Sequence, residues 1–377
     1  MKLLIISHTA HYQNLQGEIV GWGPTIREIN YLSEIFSKVY HIAPLYKDVN
    51  APDSSDIYNQ NVEFIPIKPS GGKGLQKLTI FSTSWDTLKK VNHFLTKVDY
   101  VHFRAPTGIG IVVLPFLKIF NNKKLWVKYA GNWIDKNMPI GNRLQKWWLE
   151  NMISYKDLVT VNGQWNSQNK NILSFENPCL TEEDRSKGAL IINKKELASK
   201  LKFCFVGALT ENKGVHLILE VLKELKNTNI AEFHFVGGGK DIEKYRRISN
   251  NIEIKCVFHD FLSKTELIEI YSACHFLILP SKNEGFPKVV SESMNYGCIP
   301  IVSDVSALNQ YITDEENGYL INSPVTMDGI KNKIEKALSI DSKSYIKNIK
   351  NNYTLAERFT YKKYLDELKK YFLFINE

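Results

Sequence analysis

Leu279-Pro280-Ser281-Lys282-Asn283-Glu284-Gly285-Phe286-Pro287-Lys288-Val289-Val290-Ser291-Glu292-Ser293-Met294 is the stretch on which the reading of this chain turns. An apolar run, Phe276–Leu279, has the length and composition of a buried strand; a polar loop follows, and then helical spacing over Val289–Tyr296. Gly285 and Pro287 flank the helix start, where proline is tolerated and free N–H groups point outward. Glu284 therefore sits at the helix mouth, placed to face a polar ligand. Glu292, about two turns along, can accept hydrogen bonds from a diol such as a ribose or sugar ring presents. Helical spacing groups Glu292 with Val289 and Cys298 rather than with a charged face. The plainer alternative is a solvated acidic loop plus one surface helix residue.

The same strand–helix alternation runs outward in both directions. Strands are predicted at Lys202–Val206, Glu232–Val236, Glu253–Val257 and Ile299–Val302, with helices over Val215–Leu225, Lys240–Ile248 and Lys264–Ser272. Two helical segments follow Gly329, the last over Leu355–Ile375. In the first half, strands at Lys2–Ser7, Val39–Ala43, Val62–Ile67, Tyr100–Phe103, Leu125–Tyr129 and Leu158–Val161 alternate with helices. These helices lie behind the Gly21-Trp22-Gly23-Pro24 turn and over Ser84–Leu95, Gly108–Phe120 and Asn142–Ser154. Such alternation specifies an α/β fold with parallel sheets and crossover helices. The pattern breaks between Asn177 and Ser199 around the charged run Thr181–Lys187. The expected organisation is an N-terminal domain 1–178, a linker 179–200, a C-terminal domain 201–354 and a closing helical segment 355–377.

A chain of 377 residues, 44% hydrophobic and 23% charged, suits two globular domains and excludes wholesale disorder, collagen and coiled coil. The formal charge of +8 is uneven, with 20 basic against 13 acidic residues in 1–178 and 28 against 27 in the remainder. The first half is thus the side expected to meet an anion or an anionic membrane surface. No nucleic-acid motif accompanies the charge, so nucleic acid is not expected as a partner. Arg143, Lys146, Trp147 and Trp148 on one predicted helix, with Lys118, Lys123 and Lys124 ending another, suit peripheral contact with anionic lipid. Core tryptophans with solvated lysines are the plainer alternative. Met1–His8 reads as a buried first strand rather than a signal peptide, and Ile109–Leu117 is too short to span a bilayer. A cytoplasmic protein, or one peripheral on the inner face of the membrane, is expected. Five cysteines without Cys-x-x-Cys spacing read as buried free thiols in a reducing compartment, with neither disulfide nor zinc site.

Two further turns carry chemistry. In Phe205-Val206-Gly207-Ala208-Leu209-Thr210-Glu211-Asn212-Lys213-Gly214 a strand runs into a glycine turn, a lysine and a helix. Backbone N–H groups, the helix dipole and an ammonium aimed at one point suit a phosphate, although an ordinary loop with a solvated lysine has the same sequence. Val236-Gly237-Gly238-Gly239 permits positive φ and close backbone approach to a ligand. It is neither a dinucleotide fingerprint nor a Walker loop.

Taken in order, Gly-x-Leu-x3-Lys-Gly, Val-Gly-x-Gly, Pro-Ser-x2-Glu-Gly-Phe-x2-Val-x2-Glu and Asn317-Gly318-Tyr319-Leu320 resemble the C-terminal domain of GT-B retaining glycosyltransferases of family 4, the glycosyl transferases group 1. Gly23-Pro24 is similar to that family's glycine loop, Asp99-Tyr100-Val101-His102 to its fourth strand, and Phe359-Thr360-x3-Tyr364 to its final helix. The resemblance implies two Rossmann-like domains facing a central cleft, with the last helix crossing back to the first domain. It also implies a nucleotide-sugar donor held mainly by the second domain and a glycan or lipid-linked acceptor by the first.

By this resemblance Glu284 and Lys213 form the catalytic set: Lys213 clamps the donor diphosphate and Glu284 contacts the transferred sugar. Glu292 takes the ribose hydroxyls, and the backbone of Gly285, Phe286 and Pro287, beside Val289, meets sugar and phosphate. Gly207 and Gly237 complete the donor loops, and Gly23 lets the N-terminal loop approach the phosphates. Arg104, Asn132 and Trp133 are the acceptor-side candidates. The implied activity is glycosyl transfer in surface polysaccharide or glycolipid synthesis, with retention and with no metal or other cofactor. Two departures stand out: Ala208 where the family commonly has an arginine, and Gly131 where it often has a histidine. A non-catalytic nucleotide- or glycan-binding scaffold and a sugar-nucleotide 2-epimerase remain as alternatives.

Overall fold

Short runs of β-branched and aromatic residues build two separate sheets, whose central strands are buried on both faces. The computed structural model describes residues 1–374 apart from 48, 53, 73, 75, 77, 78, 167, 227 and 228. They form two units, Met1–Glu176 with Leu365–Glu377, and Asn177–Tyr364.

The first unit is built on β1 (Lys2–Ile6), β2 (His11–Gln13), β3 (Ile19–Trp22), β4 (Lys38–Tyr46), β5 (Ser55–Ile57), β6 (Val62–Ile67), β7 (Tyr100–Ala105), β8 (Lys124–Tyr129), β9 (Leu158–Val161) and β10 (Ile172–Ser174). Their order is β10-β9-β8-β7-β1-β4-β2-β3-β5, with β6 also paired to β4. The helices are α1 (Gly23–Leu32), α2 (Thr79–Leu95), α3 (Gly110–Phe120) and α4 (Ile140–Asn151). Val91 of α2, Leu117 of α3 and Leu149 of α4 join Leu4, Phe103 and Val127 of the sheet in one core. Strands β2, β3 and β5 were not expected: β3 pairs antiparallel to both β2 and β5. At three or four residues each, they are too short to show an alternating pattern.

The second unit contains α5 (Glu182–Ile192), β11 (Leu201–Val206), α6 (Val215–Glu224), β12 (Ile230–Val236), α7 (Ile242–Ser249), β13 (Lys255–His259), α8 (Lys264–Ala273), β14 (Phe276–Leu279), α9 (Lys288–Asn295), β15 (Ile299–Ser303), β16 (Tyr319–Ile321), α10 (Met327–Leu338) and α11 (Ser342–Ala356). Its sheet runs β13-β12-β11-β14-β15-β16, every pair parallel. Counted within the unit this is the doubly wound order 3-2-1-4-5-6, in which the chain reverses its winding at the first and fourth strands.

Two expectations need correction. The stretch 179–200, expected as a linker, holds α5. Thr181 and Asp184 form a capping box, the Asp184 N–H donating to Thr181 Oγ1 at 3.0 Å and the Thr181 N–H to Asp184 Oδ2 at 2.8 Å. The acidic run complements the positive end of the helix dipole. The single closing helix expected over Leu355–Ile375 is broken. A 3₁₀ turn at Glu357–Phe359 and an extended Thr360 separate α11 from α12 (Tyr361–Phe374), and Ile375 lies outside the described residues. Hydrogen bonds from Cys179 N–H to the Phe359 carbonyl and from Tyr361 N–H to the Leu180 carbonyl, both 2.9 Å, hold this break open.

Candidate functional site

Strands β11 and β14 are neighbours, Phe203 opposite Phe276 and Cys204 opposite Leu277. They are also the strands at which the winding reverses, and in open α/β sheets ligands bind outside the carboxyl ends of such strands. The loops leaving these two ends are the lysine loop and the Glu284 loop. The Lys282 N–H donates to the Asn212 carbonyl at 2.9 Å and ties one loop to the other. Gly214 has φ +77°, and a Cβ there would stand 2.5 Å from the Pro280 carbonyl oxygen, so only glycine lets the loops pass this closely. Beside it Lys213 ends a 3₁₀ turn, Glu211–Lys213, and its ammonium is ion-paired with the Glu284 carboxylate.

A third loop, after β12, completes the arrangement. Gly237 has φ +125°, and a Cβ on it would overlap the Gly207 carbonyl. The Leu209 N–H donates to the Gly238 carbonyl at 2.8 Å.

The Glu284 loop is anchored from behind. Phe286 is buried, stacked on Phe359 with ring centroids 4.7 Å apart and edge-on to Tyr311 at 5.0 Å. The Ser306 hydroxyl donates to the Gly285 carbonyl at 2.7 Å, and the Ser303 hydroxyl to the Ser281 carbonyl at 2.6 Å. Pro287 is the N-cap of α9, Val289 lies half-buried in its first turn, and Glu292 is half-buried further on. The Tyr271 hydroxyl reaches Glu292 Oε2 at 3.5 Å. Burial, then the Glu292 charge, push the Tyr271 phenol well above its usual range, so it stands as a neutral donor.

Thus the structure brings Gly207, Lys213, Gly237, Glu284, Gly285, Phe286 and Pro287 into one loop cluster, with Val289 and Glu292 on the adjoining helix. The remaining candidates belong to the first unit. Gly23 opens α1, where a Cβ would overlap the Ser54 carbonyl; its lack of a side chain has this packing cause. Arg104 is engaged by Glu28, Nη1 to Oε1 at 3.0 Å and Nη2 to Oε2 at 3.3 Å. Asn132 Oδ1 accepts the Ile134 N–H at 3.1 Å in a local turn. Trp133, expected on the acceptor side, is a core residue: it is buried, edge-on to Tyr129 at 4.9 Å.

The two departures also have a setting. Ala208 is exposed beside the lysine loop. A Cβ on Gly131 would lie 3.1 Å from Tyr129 Cε1 and 3.3 Å from Pro106 Cδ, so this backbone leaves a histidine no room without a shift.

Asn212, Ser306, Tyr271 and Glu28 were not anticipated. The first acts through its carbonyl and the next two from loops or helices remote in sequence. Glu28 falls between Ile26 and Ile29 on α1, and nothing in its own residue type signals burial. The five cysteines are free, four of them buried. Among the described residues no group of three or more His, Cys, Asp or Glu side chains is placed to hold a metal, and no helix is long and apolar enough to cross a membrane.

Residues 189–355 match the model of the family described as glycosyl transferases group 1. An uncharacterized glycosyltransferase of Methanocaldococcus jannaschii is 31% identical over 136 residues, 34% of this chain and 36% of that one. The chain spans between 26% and 46% of the length of four curated relatives, three of them uncharacterized glycosyltransferases of that organism and one a glycogen synthase of Aquifex aeolicus. Among solved structures, sucrose-phosphate synthase from Thermosynechococcus elongatus superposes with a TM-score of 0.75 at 18% identity, over 100% of both chains. Anabaena HepE in complex with UDP-glucose gives 0.69 at 14% identity, over 98% of each. The fold is GT-B, with two Rossmann-like α/β domains. Its second unit is a glycosyl transferases group 1 domain.

Proposed function

We propose that the protein transfers a sugar from a nucleotide-sugar donor to a glycan or lipid-linked acceptor, in the synthesis of surface polysaccharide or glycolipid. One observation carries this reading: a lysine and a glutamate that meet across the switch point of a doubly wound sheet, on loops held together by Lys282 and Gly214. A sugar–phosphate bond breaks through an oxocarbenium-like state, and the departing diphosphate must be neutralised. Lys213 supplies that charge. Glu284, which the ammonium holds in the free protein, is released to the sugar hydroxyls when a diphosphate takes the lysine. Glu292 offers acceptor oxygens to the ribose diol.

The Anabaena structure of like fold, which holds UDP-glucose, supports a nucleotide-sugar ligand. Retention and independence from a metal belong to the same proposal. So does the task of the first unit: it takes the acceptor, and its positive charge holds the protein peripherally on an anionic surface at the inner face of the membrane.

The test is a screen of nucleotide-sugars for thermal stabilisation, since a ligand that binds only the native state raises apparent stability. Donor hydrolysis or transfer is then assayed with each stabilising donor. Stabilisation with turnover supports the proposal. Nucleotide binding without turnover assigns the chain to the scaffold alternative, and C2 inversion of the sugar nucleotide to the epimerase.

A further inference from the structure

Exposed apolar side chains are unevenly shared between the units. Of 17 large hydrophobic side chains exposed among the described residues, 15 lie in the first unit, and only Leu190 and Phe261 in the second. Several gather around one cavity of about 240 Å³ formed by α3, α4, the start of β8 and the 153–157 turn. Leu117 and Trp148 are among its apolar lining residues, and Lys118, Lys123, Lys124 and Lys156 its basic ones. Asp157 is the one acidic lining residue, and its Oδ1 already accepts the Leu125 N–H at 3.0 Å.

The exposed apolar residues alternate with this lining along the chain. Ile119 and Phe120, 72% and 58% exposed, sit between lining residues Lys118 and Asn121. Tyr155, 82% exposed, sits between Ser154 and Lys156, and Trp147, 50% exposed, precedes Trp148. The cavity adjoins Lys124, the first residue of β8, whereas Asn132 follows the last. It is therefore at the amino ends of the strands, roughly 20 Å along the sheet from the carboxyl ends where α/β ligands bind.

We propose that this face docks on an anionic lipid bilayer, the cavity taking a phospholipid headgroup phosphate while Phe120, Trp147 and Tyr155 lie at headgroup level. The charge is complementary, and amphipathic aromatic rings beside lysines are the chemistry of a membrane interface. A free anion satisfies the lysines but leaves Ile119 and Phe120 in water, which favours the lipid source. The inference deepens the reading of the first unit as the side facing an anionic surface, and rests on it.

The full chain is sedimented with vesicles of phosphatidylcholine alone or mixed with phosphatidylglycerol, with no donor present. Wild type is expected to pellet with the mixed vesicles only, and less as salt rises. The triple variant Lys118→Gln, Lys123→Gln, Lys156→Gln is expected to lose at least about tenfold in vesicle partition. Phe120→Ser with Trp147→Ser is expected to weaken it while keeping the salt dependence. Unchanged melting temperatures and donor-induced stabilisation show that the variants fold, and separate this test from that of transfer. Equal pelleting with phosphatidylcholine alone, or variants that bind like wild type, would overturn the proposal. So would stabilisation by inorganic phosphate without vesicle binding, which assigns the cavity to a free anion. A dimer lost in the serine variant without vesicle binding assigns the face to a second copy of the chain, and equally overturns it.

Discussion

Lys213 and Glu284, 71 positions apart, neutralise each other at the carboxyl ends of adjacent strands, with the lysine side chain 28% exposed and the glutamate 9%. In the proposed function the pair competes with the donor for both groups. Lys213→Ala is expected to weaken nucleoside diphosphate binding and to reduce transfer by about 10²–10³-fold. Glu284→Gln frees the ammonium, so diphosphate affinity is expected to hold or rise while transfer falls by a similar factor. Calorimetric titration and an activity assay check the two separately. Wild-type transfer in either variant removes that residue from the site.

Gly214→Ala tests whether the crossing of the two loops requires glycine. Its φ of +77° strains any L side chain, and the Pro280 carbonyl 2.5 Å away leaves no space. Gly17→Ala is the reference, since Gly17 has φ +83° but only Gln13 Nε2 near, at 3.6 Å. Urea denaturation is expected to show a loss of about 1 kcal/mol for Gly17→Ala, from strain alone. Gly214→Ala should lose about 2–3 kcal/mol, with weaker donor binding. Equal losses would mean that the loops part easily.

Much of this fold is legible in the sequence because parallel strands are buried on both faces and read as apolar runs. Val62–Ile67, Leu158–Val161 and Phe276–Leu279 have the predicted limits at both ends. The strand order is not legible: that β11 lies beside β14 is a long-range fact, yet it brings Lys213 to Glu284. Local charge misled at α5, where Glu182, Glu183 and Asp184 form a helix's first turn rather than a linker. Residue type alone is equally ambiguous at Trp147 and Trp148. Successive helix positions are about 100° apart, and the first ring is exposed while the second packs on the core.

The first unit contains a hydrogen-bond circuit that fixes two histidines neutral. His11 Nδ1–H donates to the Thr9 carbonyl at 2.8 Å, leaving Nε2 to accept the Tyr58 hydroxyl. His41 Nδ1–H donates to Tyr58 at 2.6 Å, the Ser7 hydroxyl to His41 Nε2 at 2.8 Å, and the Thr9 N–H to Ser7 Oγ at 3.1 Å. Burial lowers His11 to about 4 and holds His41 well below its ordinary 6.5. Because the folded values are depressed, the native state binds fewer protons than the unfolded chain. Stability is therefore full above about pH 6.5 and falls toward pH 4, by up to about 1.4 kcal/mol per pH unit for each histidine. Tyr58→Phe strands both rings and is expected to cost about 2 kcal/mol at pH 7.5. Urea curves at pH 7.5, 6 and 5 measure both; a flat profile would show that the histidines are not held neutral.

Glu28 is fully buried and serves two cations, Arg104 through both carboxylate oxygens and Lys128 Nζ at 2.7 Å. The group carries one more positive charge than negative. Glu28→Gln leaves two cations against each other, with Arg104 16% exposed and Lys128 7%. Breaking a buried pair by removing one partner costs about 3–5 kcal/mol, and that loss is expected in urea denaturation. Adding Lys128→Met removes the more buried cation, and Arg104 can then turn toward water. The double variant is expected to be more stable than Glu28→Gln alone by at least about 1 kcal/mol, a coupling that only groups in one network show. Strictly additive losses would mean that Glu28 is not what holds Lys128 in the interior.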